Sequence, residues 1–411
     1  MFLQLDKKKI SLIFIYLFPI AYVVGPFVAD LFITCIGLLY ISCVYNKLSS
    51  VKFENYIICL FFFWIFIIFS SLINFNYGFD GFGRSITFFR FIILIIAIQY
   101  FIDSEEKLKT YVLIGLITMT ITGIDLLIQS ISTYNIIGLR LQHLNPLNEN
   151  IYLRPSGFFR EELIAGSYFL YMSVVILIAI YHIVSVKKEF SKFYLLILLA
   201  PFFIVLAGER MSILYLVGIM FITLMFSFKL KNIKKIILRL KYIILFFVIL
   251  SAIYFYFFAP NLINRFNFIT NISLESCNPD YLCLFESAYS VFKENSLFGV
   301  GLKNFRHVCS EYGGVCSTHP HNLYFELISE TGLVGLVLFL GFVILLLFKI
   351  IKLQNINFEY FYFGLILLFI VFWPLSTSRS FFSNYNACLI WFNIGMFIAI
   401  KKLSLKNFYV N

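Results

Sequence analysis

Long apolar runs follow one another along almost the whole chain, separated by short polar connections. A helix needs about 17 to 25 residues to cross a hydrocarbon core about 30 Å thick, and most of these runs have that length. Strands of a membrane β-barrel would instead alternate apolar and polar residues over short segments. The pattern therefore predicts an all-α polytopic membrane protein. We expect about twelve transmembrane helices, at residues 10–25, 28–45, 55–73, 86–102, 109–130, 162–185, 192–207, 211–228, 240–259, 332–350, 358–374 and 386–400.

Two connections are much longer than the others, at residues 131–161 and 260–331, and the second lies between the ninth and tenth predicted helices. No internal repeat or low-complexity linker divides the chain, so residues 1–411 are predicted to form a single membrane domain. The first apolar run follows a lysine cluster but lacks the small-residue cleavage site of a signal peptide. We expect it to be retained as one half of a helix hairpin.

The composition agrees with this picture, because hydrophobic residues make up 61% of the chain and charged residues only 13%. All lysines except Lys293 and Lys303 fall on one side of the predicted membrane. Since basic loops remain in the cytoplasm, both termini are predicted to be cytoplasmic and the two long connections to lie outside. The net charge of +11 is thus an orientation signal and does not indicate nucleic-acid binding.

Arginine is distributed in the opposite way. A guanidinium presents a rigid fork of donors that binds phosphate or carboxylate oxygens, so outer arginines predict an anionic ligand at that face. The alternative is ion pairing with outer carboxylates. No pair of aspartates on this side suggests a divalent metal. If the anionic ligand is a pyrophosphate, arginines must therefore neutralise its charge. Nine of the ten arginines lie on the outer side: Arg84, Arg90, Arg140, Arg154, Arg160, Arg210, Arg265, Arg306 and Arg379.

Four of the eight cysteines fall in apolar spans and are expected to be small core residues. The other four fall in the long outer connection, where an oxidising compartment favours disulfides. Four cysteines allow three pairings, of which we predict Cys309–Cys316, with Cys277–Cys283 as the second pair. A metal site is the alternative, but neither pair has C-x-x-C spacing.

The densest polar cluster lies at the end of the long outer connection and contains His319-Pro-His321-Asn322. A helix is expected to begin at this point, which places Asn322, Glu326 and Glu330 one above another on one face. Imidazole is the usual group for moving protons near neutral pH, so these histidines are candidate proton acceptors. The alternative is a helix start with a capping asparagine and interfacial histidines.

A glycine pair, Gly299-Val-Gly301, follows an amphipathic stretch at residues 281–295. Such a pair occurs in phosphate-binding loops and in tight turns. Because the motif stands alone, the turn is the favoured interpretation.

The string His319-Pro-His321-Asn322-Leu-Tyr-Phe-Glu326, followed by Glu330-Thr-Gly332, resembles the signature of the O-antigen ligase and polymerase superfamily. Further matches begin at Arg154 (Arg-Pro-Ser-Gly-Phe-Phe) and at Gly208 (Gly-Glu-Arg-Met-Ser). The resemblance covers most of the chain from about residue 150 onward.

Such proteins act at the outer face of the bacterial inner membrane, where they pass a glycan from undecaprenyl pyrophosphate to a sugar hydroxyl, usually with inversion. The resemblance implies a fold like that of C-type glycosyltransferases, with a site between the helix bundle and the periplasmic loop 260–331. It implies O-antigen ligation to lipid A–core by a metal-independent enzyme without a cofactor. Its partners would be the lipid-linked glycan, the acceptor glycan and membrane lipid.

The resemblance also assigns candidate roles by position. His321 would be the general base that accepts the proton of the acceptor hydroxyl. The acidic pair Glu161-Glu162 departs from many relatives and receives no role. The candidates for substrate binding are Arg154, Arg210 and Arg265, which would bind pyrophosphate, together with His319, Asn322 and Glu326.

Three other functions remain open at this point. A polymerase of the same superfamily would use the same kind of site to move a growing chain onto another lipid-linked repeat. A protein O-oligosaccharyltransferase usually carries additional carboxy-terminal sequence. A transporter or flippase predicts internal repeats and charges at the membrane midplane, and Asp125 is the main residue of that kind.

Overall fold

The computed structural model describes residues 2–45, 53–143, 153–188, 190–230, 281–312, 314–377 and 379–410, together with residues 249, 252, 253 and 256. Short 3-10 helices lie at Phe75–Tyr77, Gly157–Phe159, Lys192–Leu199 and Lys352–Asn355, and strand β1 (Gln142–His143) pairs antiparallel with β2 (Leu153–Arg154). The α-helices in these ranges are α1 (Phe2–Val24), α2 (Pro26–Val44), α3 (Asn55–Ile73), α4 (Phe79–Thr87), α5 (Phe89–Phe101), α6 (Glu105–Ser132), α7 (Ala165–Lys187), α8 (Ala200–Leu206), α9 (Arg210–Phe226), α10 (Tyr281–Glu294), α11 (Phe305–Val308), α12 (Leu323–Ile351), α13 (Phe358–Phe372) and α14 (Asn384–Val410).

Seven helical segments of the described chain are long and apolar enough to cross a membrane, and three shorter apolar helices accompany them. The predicted all-α polytopic membrane fold is therefore confirmed. Each predicted span except residues 240–259 coincides with a described helix. Residues 240–259 lie almost entirely outside the described residues.

Helix α14 lies at the centre of the bundle, where it packs against α2, α5 and α7. Its Trp391 is fully buried, and its Phe392 stacks on Phe18 of α1 with ring centroids 3.8 Å apart. Lipid tails are as apolar as these side chains, so close van der Waals packing rather than burial from water stabilises such helix contacts. The aromatic residues of α14 therefore fix how the surrounding helices are arranged.

Helix α12 kinks at Gly332, which has φ 63° and ψ −166°. A kink frees backbone groups, and the segment after α10 satisfies them: Val300 N–H donates to Ser329 O, while Leu333 N–H donates to Ser296 O. Gly299 makes this approach possible, since a Cβ there would lie 2.4 Å from the carbonyl carbon of Glu330. The outer segment 296–301 is thus joined to α12 through main-chain hydrogen bonds.

Two buried side chains of α6 hold the connection between α6 and α7. Asp125 accepts a hydrogen bond from Ile136 N–H at 2.9 Å. Gln129, one turn later, accepts from Ser156 N–H at 2.8 Å and from Gly157 N–H at 2.7 Å. Asp125 is therefore occupied by the loop that follows its own helix, and Gln129 fixes the main chain next to Arg154.

The lysine distribution gives a testable topology. We expect alkaline phosphatase fused after Val300 to be active, because that loop should be periplasmic, and a fusion at the carboxy terminus to be inactive. Enzyme activity in cells, normalised to fusion protein level, provides the measurement. An inactive fusion after Val300 beside an active carboxy-terminal fusion would contradict the orientation.

Candidate functional site

The predicted helix start at Asn322 is present. The Asn322 side-chain oxygen accepts hydrogen bonds from Tyr324 N–H and Phe325 N–H, at 2.8 and 3.2 Å, and so caps α12. His321 immediately precedes the cap and has a left-handed backbone with φ 59°. Few non-glycine residues adopt this conformation, but histidine is among the more tolerant ones. The cap and the turn together fix the direction in which the His321 ring leaves the main chain.

The two histidines of the motif lie against each other. Their ring centroids are 4.0 Å apart, and the Nε2 atom of His321 is 3.3 Å from the Ser317 hydroxyl. The ring of Tyr281, at the start of α10, packs edge-on to His321 with centroids 5.4 Å apart. His319 is buried whereas His321 is partly exposed. Of the two rings, His321 is therefore the one that is more accessible to a substrate.

Arg154 is buried next to the start of α9, with only 7% of its surface exposed. Its Nε donates to Ala207 O at 2.9 Å, and its Nη2 lies 3.4 Å from Glu209 Oε2. Apart from this ion pair, that Nη2 atom has no hydrogen-bond acceptor among the described residues. A buried donor without an acceptor costs free energy, so a ligand oxygen that reached it would be bound favourably.

The arginines Arg154, Arg210 and Arg379 are grouped around Glu209 and are called the arginine cluster here. Arg154 Nη2 lies 3.4 Å from the Glu209 carboxylate, Arg210 follows Glu209 in the chain, and Arg379 lines the same cavity as Glu209. Burial lowers the pKa of the Arg154 guanidinium; Glu209 opposes this shift, whereas the charges of Arg379 and Arg210 lower the pKa further. Leu323, two positions after His321, lines the same cavity as Glu209 and Arg379. The start of α12, which carries the histidine motif, therefore lies beside the arginine cluster. Arg265, the remaining predicted phosphate ligand, lies outside the described residues.

Glu209 joins this cluster to the amino terminus of α7. Its carboxylate accepts hydrogen bonds from Ser167 N–H at 2.7 Å and from the Ser167 hydroxyl at 2.5 Å. A carboxylate is stabilised at a helix amino terminus by the free N–H groups and the helix dipole. Gly166 is needed there, because a Cβ at that position would lie 2.7 Å from Glu209 Cβ. Glu209 is therefore fixed in place between α7 and Arg154.

A cavity opens beside this group, between α7, α9, α13 and α14. Polar side chains line it at the ends of these helices and in the α13–α14 connection. Apolar side chains line it both there (Trp373 and Phe381, with Leu323 at the start of α12) and further along the helices. The polar residues include Glu209, Ser376, Thr377, Arg379 and Asn386, and the apolar and aromatic ones include Leu170, Tyr171, Tyr215, Ile370 and Ile390. A ligand with a charged head and an apolar tail matches this lining.

Other outer arginines pair with protein groups, as the alternative interpretation expected. Arg90 Nε lies 2.8 Å from Asp30 Oδ1, and Arg84 Nη1 donates to Asn384 Oδ1 at 2.8 Å. These contacts join α2, α4, α5 and α14. Arg154 and Arg379 also have carboxylate partners, so ion pairing alone does not separate them from Arg90. We keep the anionic-ligand hypothesis for the arginine cluster because Arg379 lines the cavity.

Asn322 and Glu326 are buried, and their polar atoms bind protein groups. The Asn322 amide donates to Pro374 O at 2.7 Å and to Ser376 O at 2.9 Å. The Glu326 carboxylate accepts from Phe381 N–H at 2.7 Å and from the Ser380 hydroxyl. The polar atoms of both residues therefore have protein partners, and their contact with substrate stays a prediction.

The Gly299-Val-Gly301 motif forms a turn. Gly299 N–H donates to Asn295 O, Val300 N–H to Ser329 O and Gly301 N–H to Glu330 O. All three donors are therefore used by main-chain carbonyls and are not available to a phosphate. The tight-turn interpretation of the motif is the one that agrees with these contacts.

Cys309 and Cys316 form a disulfide with their Cα atoms 5.5 Å apart, just before the histidine motif. Cys283 is also disulfide-bonded, while Cys277, its predicted partner, lies outside the described residues. The four other cysteines, in α2, α3 and α14, are not disulfide-bonded, as expected for core residues.

The Cys309–Cys316 bond should rigidify the approach to His319. We expect Cys316→Ala to destabilise the protein by about 2–3 kcal/mol. Without the bond, the unfolded chain has more conformational freedom, which it loses on folding. Thermal unfolding in detergent measures this effect, with Cys59→Ala, a free cysteine, as the control. Rapid alkylation of Cys316 in the unreduced wild type would contradict the prediction.

Two residues of the site, Glu209 and Tyr281, were not identified from the sequence, and Arg379 was named there only as one of nine outer arginines. Each is ordinary in its local sequence, and its place becomes visible only through a partner far along the chain. Arg379 illustrates this, since its Nη1 donates to Glu162 Oε2 at 2.6 Å across 217 positions. That pair also gives Glu162 a contact, which the sequence alone did not assign.

Residues 193–340 match the model of the O-antigen ligase family. This part of the chain is similar to O-antigen ligase domains. The resemblance seen in the sequence is thereby confirmed. The domain includes Arg210, His321 and Glu326, while Arg154 and Arg379 lie on either side of it. Among curated proteins, none matches the chain. An O-antigen ligase domain implies glycosyl transfer on glycan and lipid-linked substrates in general.

Proposed function

We propose that the protein transfers a glycan from undecaprenyl pyrophosphate to a sugar hydroxyl at the periplasmic face of the bacterial inner membrane. The acceptor we propose is lipid A–core, which makes the reaction an O-antigen ligation. The observation that carries this proposal is a cavity lined by Arg379, Glu209 and Leu323, the last of which lies two positions after His321. Arg154 contacts the Glu209 carboxylate, and Arg210 is the next residue in the chain. The lining of the cavity suits a lipid with a diphosphate head.

The chemistry needs few groups. The acceptor hydroxyl oxygen attacks the anomeric carbon while the bond from that carbon to the pyrophosphate oxygen breaks, so attack from the opposite face inverts the configuration. The pyrophosphate leaves on its lipid carrier, with the arginines stabilising its charge. His321 accepts the hydroxyl proton. The reaction involves no net oxidation or reduction, and we expect neither a cofactor nor a metal ion to be required.

A gel of lipopolysaccharide from a deletion strain tests this proposal. We expect bare lipid A–core, with polymer accumulating on undecaprenyl carrier, and the wild-type gene should restore the ladder. Single repeats attached to core would instead indicate the polymerase function. An unchanged ladder would contradict both.

A further inference from the structure

Lys303 and Glu326 form an ion pair that is almost completely shielded from solvent. Their side chains are 5% and 0% exposed, and Lys303 Nζ lies 3.6 Å from Glu326 Oε1. Lys303 belongs to the turn between α10 and α11 and has a left-handed backbone with φ 63°. Glu326 lies in the first turn of α12. The pair therefore joins the outer loop to the helix that follows the histidine motif.

A third element enters the same contact. The hydroxyl of Ser380, in the connection between α13 and α14, lies against both Lys303 Nζ and Glu326 Oε1. The next residue, Phe381, donates its backbone N–H to Glu326 Oε2 at 2.7 Å. One buried carboxylate therefore binds both charged and neutral donors from two distant parts of the chain.

The other end of the same connection is held by the residues that precede Glu326. Asn322 donates to Pro374 O and Ser376 O, and the Tyr324 hydroxyl donates to Phe372 O at 2.7 Å. The α13–α14 connection is thus attached to the first turn of α12 on both sides of Arg379. Since His321 directly precedes that turn, these contacts set the position of Arg379 relative to His321.

Stability alone does not account for such a pair. Removing two charges from water costs about as much as their attraction returns, and neutral replacements of similar volume are often tolerated. The contacts of this pair do, however, fix a geometry that loosely packed neutral residues would not. The Lys303–Glu326 pair lies between the connection that carries Arg379 and the helix that follows His321. This location agrees with a role in positioning these two residues.

We propose that the Lys303–Glu326 pair is a positioning device that holds Arg379, and with it the pyrophosphate-binding cluster, at a fixed distance from His321. Neither residue of the pair touches substrate in this assignment. The inference rests on the proposed function, because it presumes that Arg379 and His321 act on the same lipid-linked glycan. Under this proposal Glu326 does not make the contact with substrate that the sequence had suggested. It positions the α13–α14 connection through its hydrogen bonds with Ser380 and Phe381.

The test uses Glu326→Gln and the double variant Lys303→Met/Glu326→Gln in the full-length protein. The control is Glu54→Gln, which removes the exposed Lys349–Glu54 pair at the opposite end of α12. Membrane level, melting temperature in detergent, and kcat and KM for the lipid-linked donor are measured for each. A second readout is independent of catalysis: the rate at which an impermeant maleimide labels Thr377→Cys in each background.

We expect Glu326→Gln to lower kcat/KM by about 10–100-fold, as small displacements of reacting groups do. Labelling of Thr377→Cys should accelerate several-fold, and Glu54→Gln should change neither value. The double variant should regain the melting temperature but not the transfer rate. Transfer that recovers together with the melting temperature would overturn the positioning role, as would unchanged labelling in both variants. If the wild type transfers no glycan, the proposed function fails, while the labelling rates still decide whether the pair holds the connection.

Discussion

We expect His321→Ala to abolish glycan transfer while leaving the amount of protein in the membrane unchanged. A sugar hydroxyl is a poor nucleophile at neutral pH, and a base in hydrogen-bond range contributes roughly 10²–10⁴ in rate. His321→Gln should fail as well, because glutamine keeps a hydrogen-bonding side chain but cannot accept the proton. The measurement is lipopolysaccharide ladder formation in a complemented deletion strain, followed by kcat with purified protein.

His307 provides a matched control. It lies in the same outer region, is exposed, and belongs to the short helix α11. His307→Gln should therefore transfer glycan at the wild-type rate. Near-normal transfer by His321→Gln would show that His321 only positions substrate, and the proton would then leave through another group.

The second large effect is expected at Arg210. Arg210→Ala should raise KM for the lipid-linked donor by about 10–100-fold, since hydrogen bonds to charged groups contribute about 1.5–3 kcal/mol each. Arg210→Lys should restore only part of the affinity, because an ammonium group lacks the bidentate fork that matches a phosphate. Initial rates over a range of donor concentrations separate this effect from a change in kcat.

Arg306→Lys is the control for charge and size, since Arg306 is exposed on α11. Its kinetics should match the wild type. If arginines neutralise the pyrophosphate, transfer should also persist in a chelator of divalent ions. Strict dependence on a divalent ion, or full rescue by lysine at position 210, would contradict the role given to Arg210.

The helices of the bundle could be predicted because a span needs only a run of apolar residues. The start of α12 was also predictable, since Asn322 is a good capping residue and its contacts with Tyr324 and Phe325 are local. In the same way, Gly299-Val-Gly301 carried the signal of a turn. Local sequence was sufficient wherever the deciding hydrogen bond lies within a few residues.

The partners of the polar residues could not be predicted. Glu326 lies one turn from the histidine motif, which suggested a contact with substrate, yet its carboxylate binds Ser380 and Phe381, more than fifty positions away. Glu209 similarly caps a helix that begins 44 positions earlier, at Ala165. Only the packing of α7, α9, α12 and the α13–α14 connection brings these groups together. Hydropathy determines that the helices exist but not which of their ends meet.

Reconstitution in proteoliposomes tests the central claim most directly. The vesicles would contain undecaprenyl-pyrophosphate-linked glycan with a labelled sugar, together with lipid A–core, and wild type would be compared with His321→Ala. We predict that the wild type moves the label onto lipid A–core and releases undecaprenyl pyrophosphate in equal amount, and that the variant does neither. Label that crosses the bilayer while still attached to its carrier, with none on the acceptor, would contradict glycan transfer as the function of this protein.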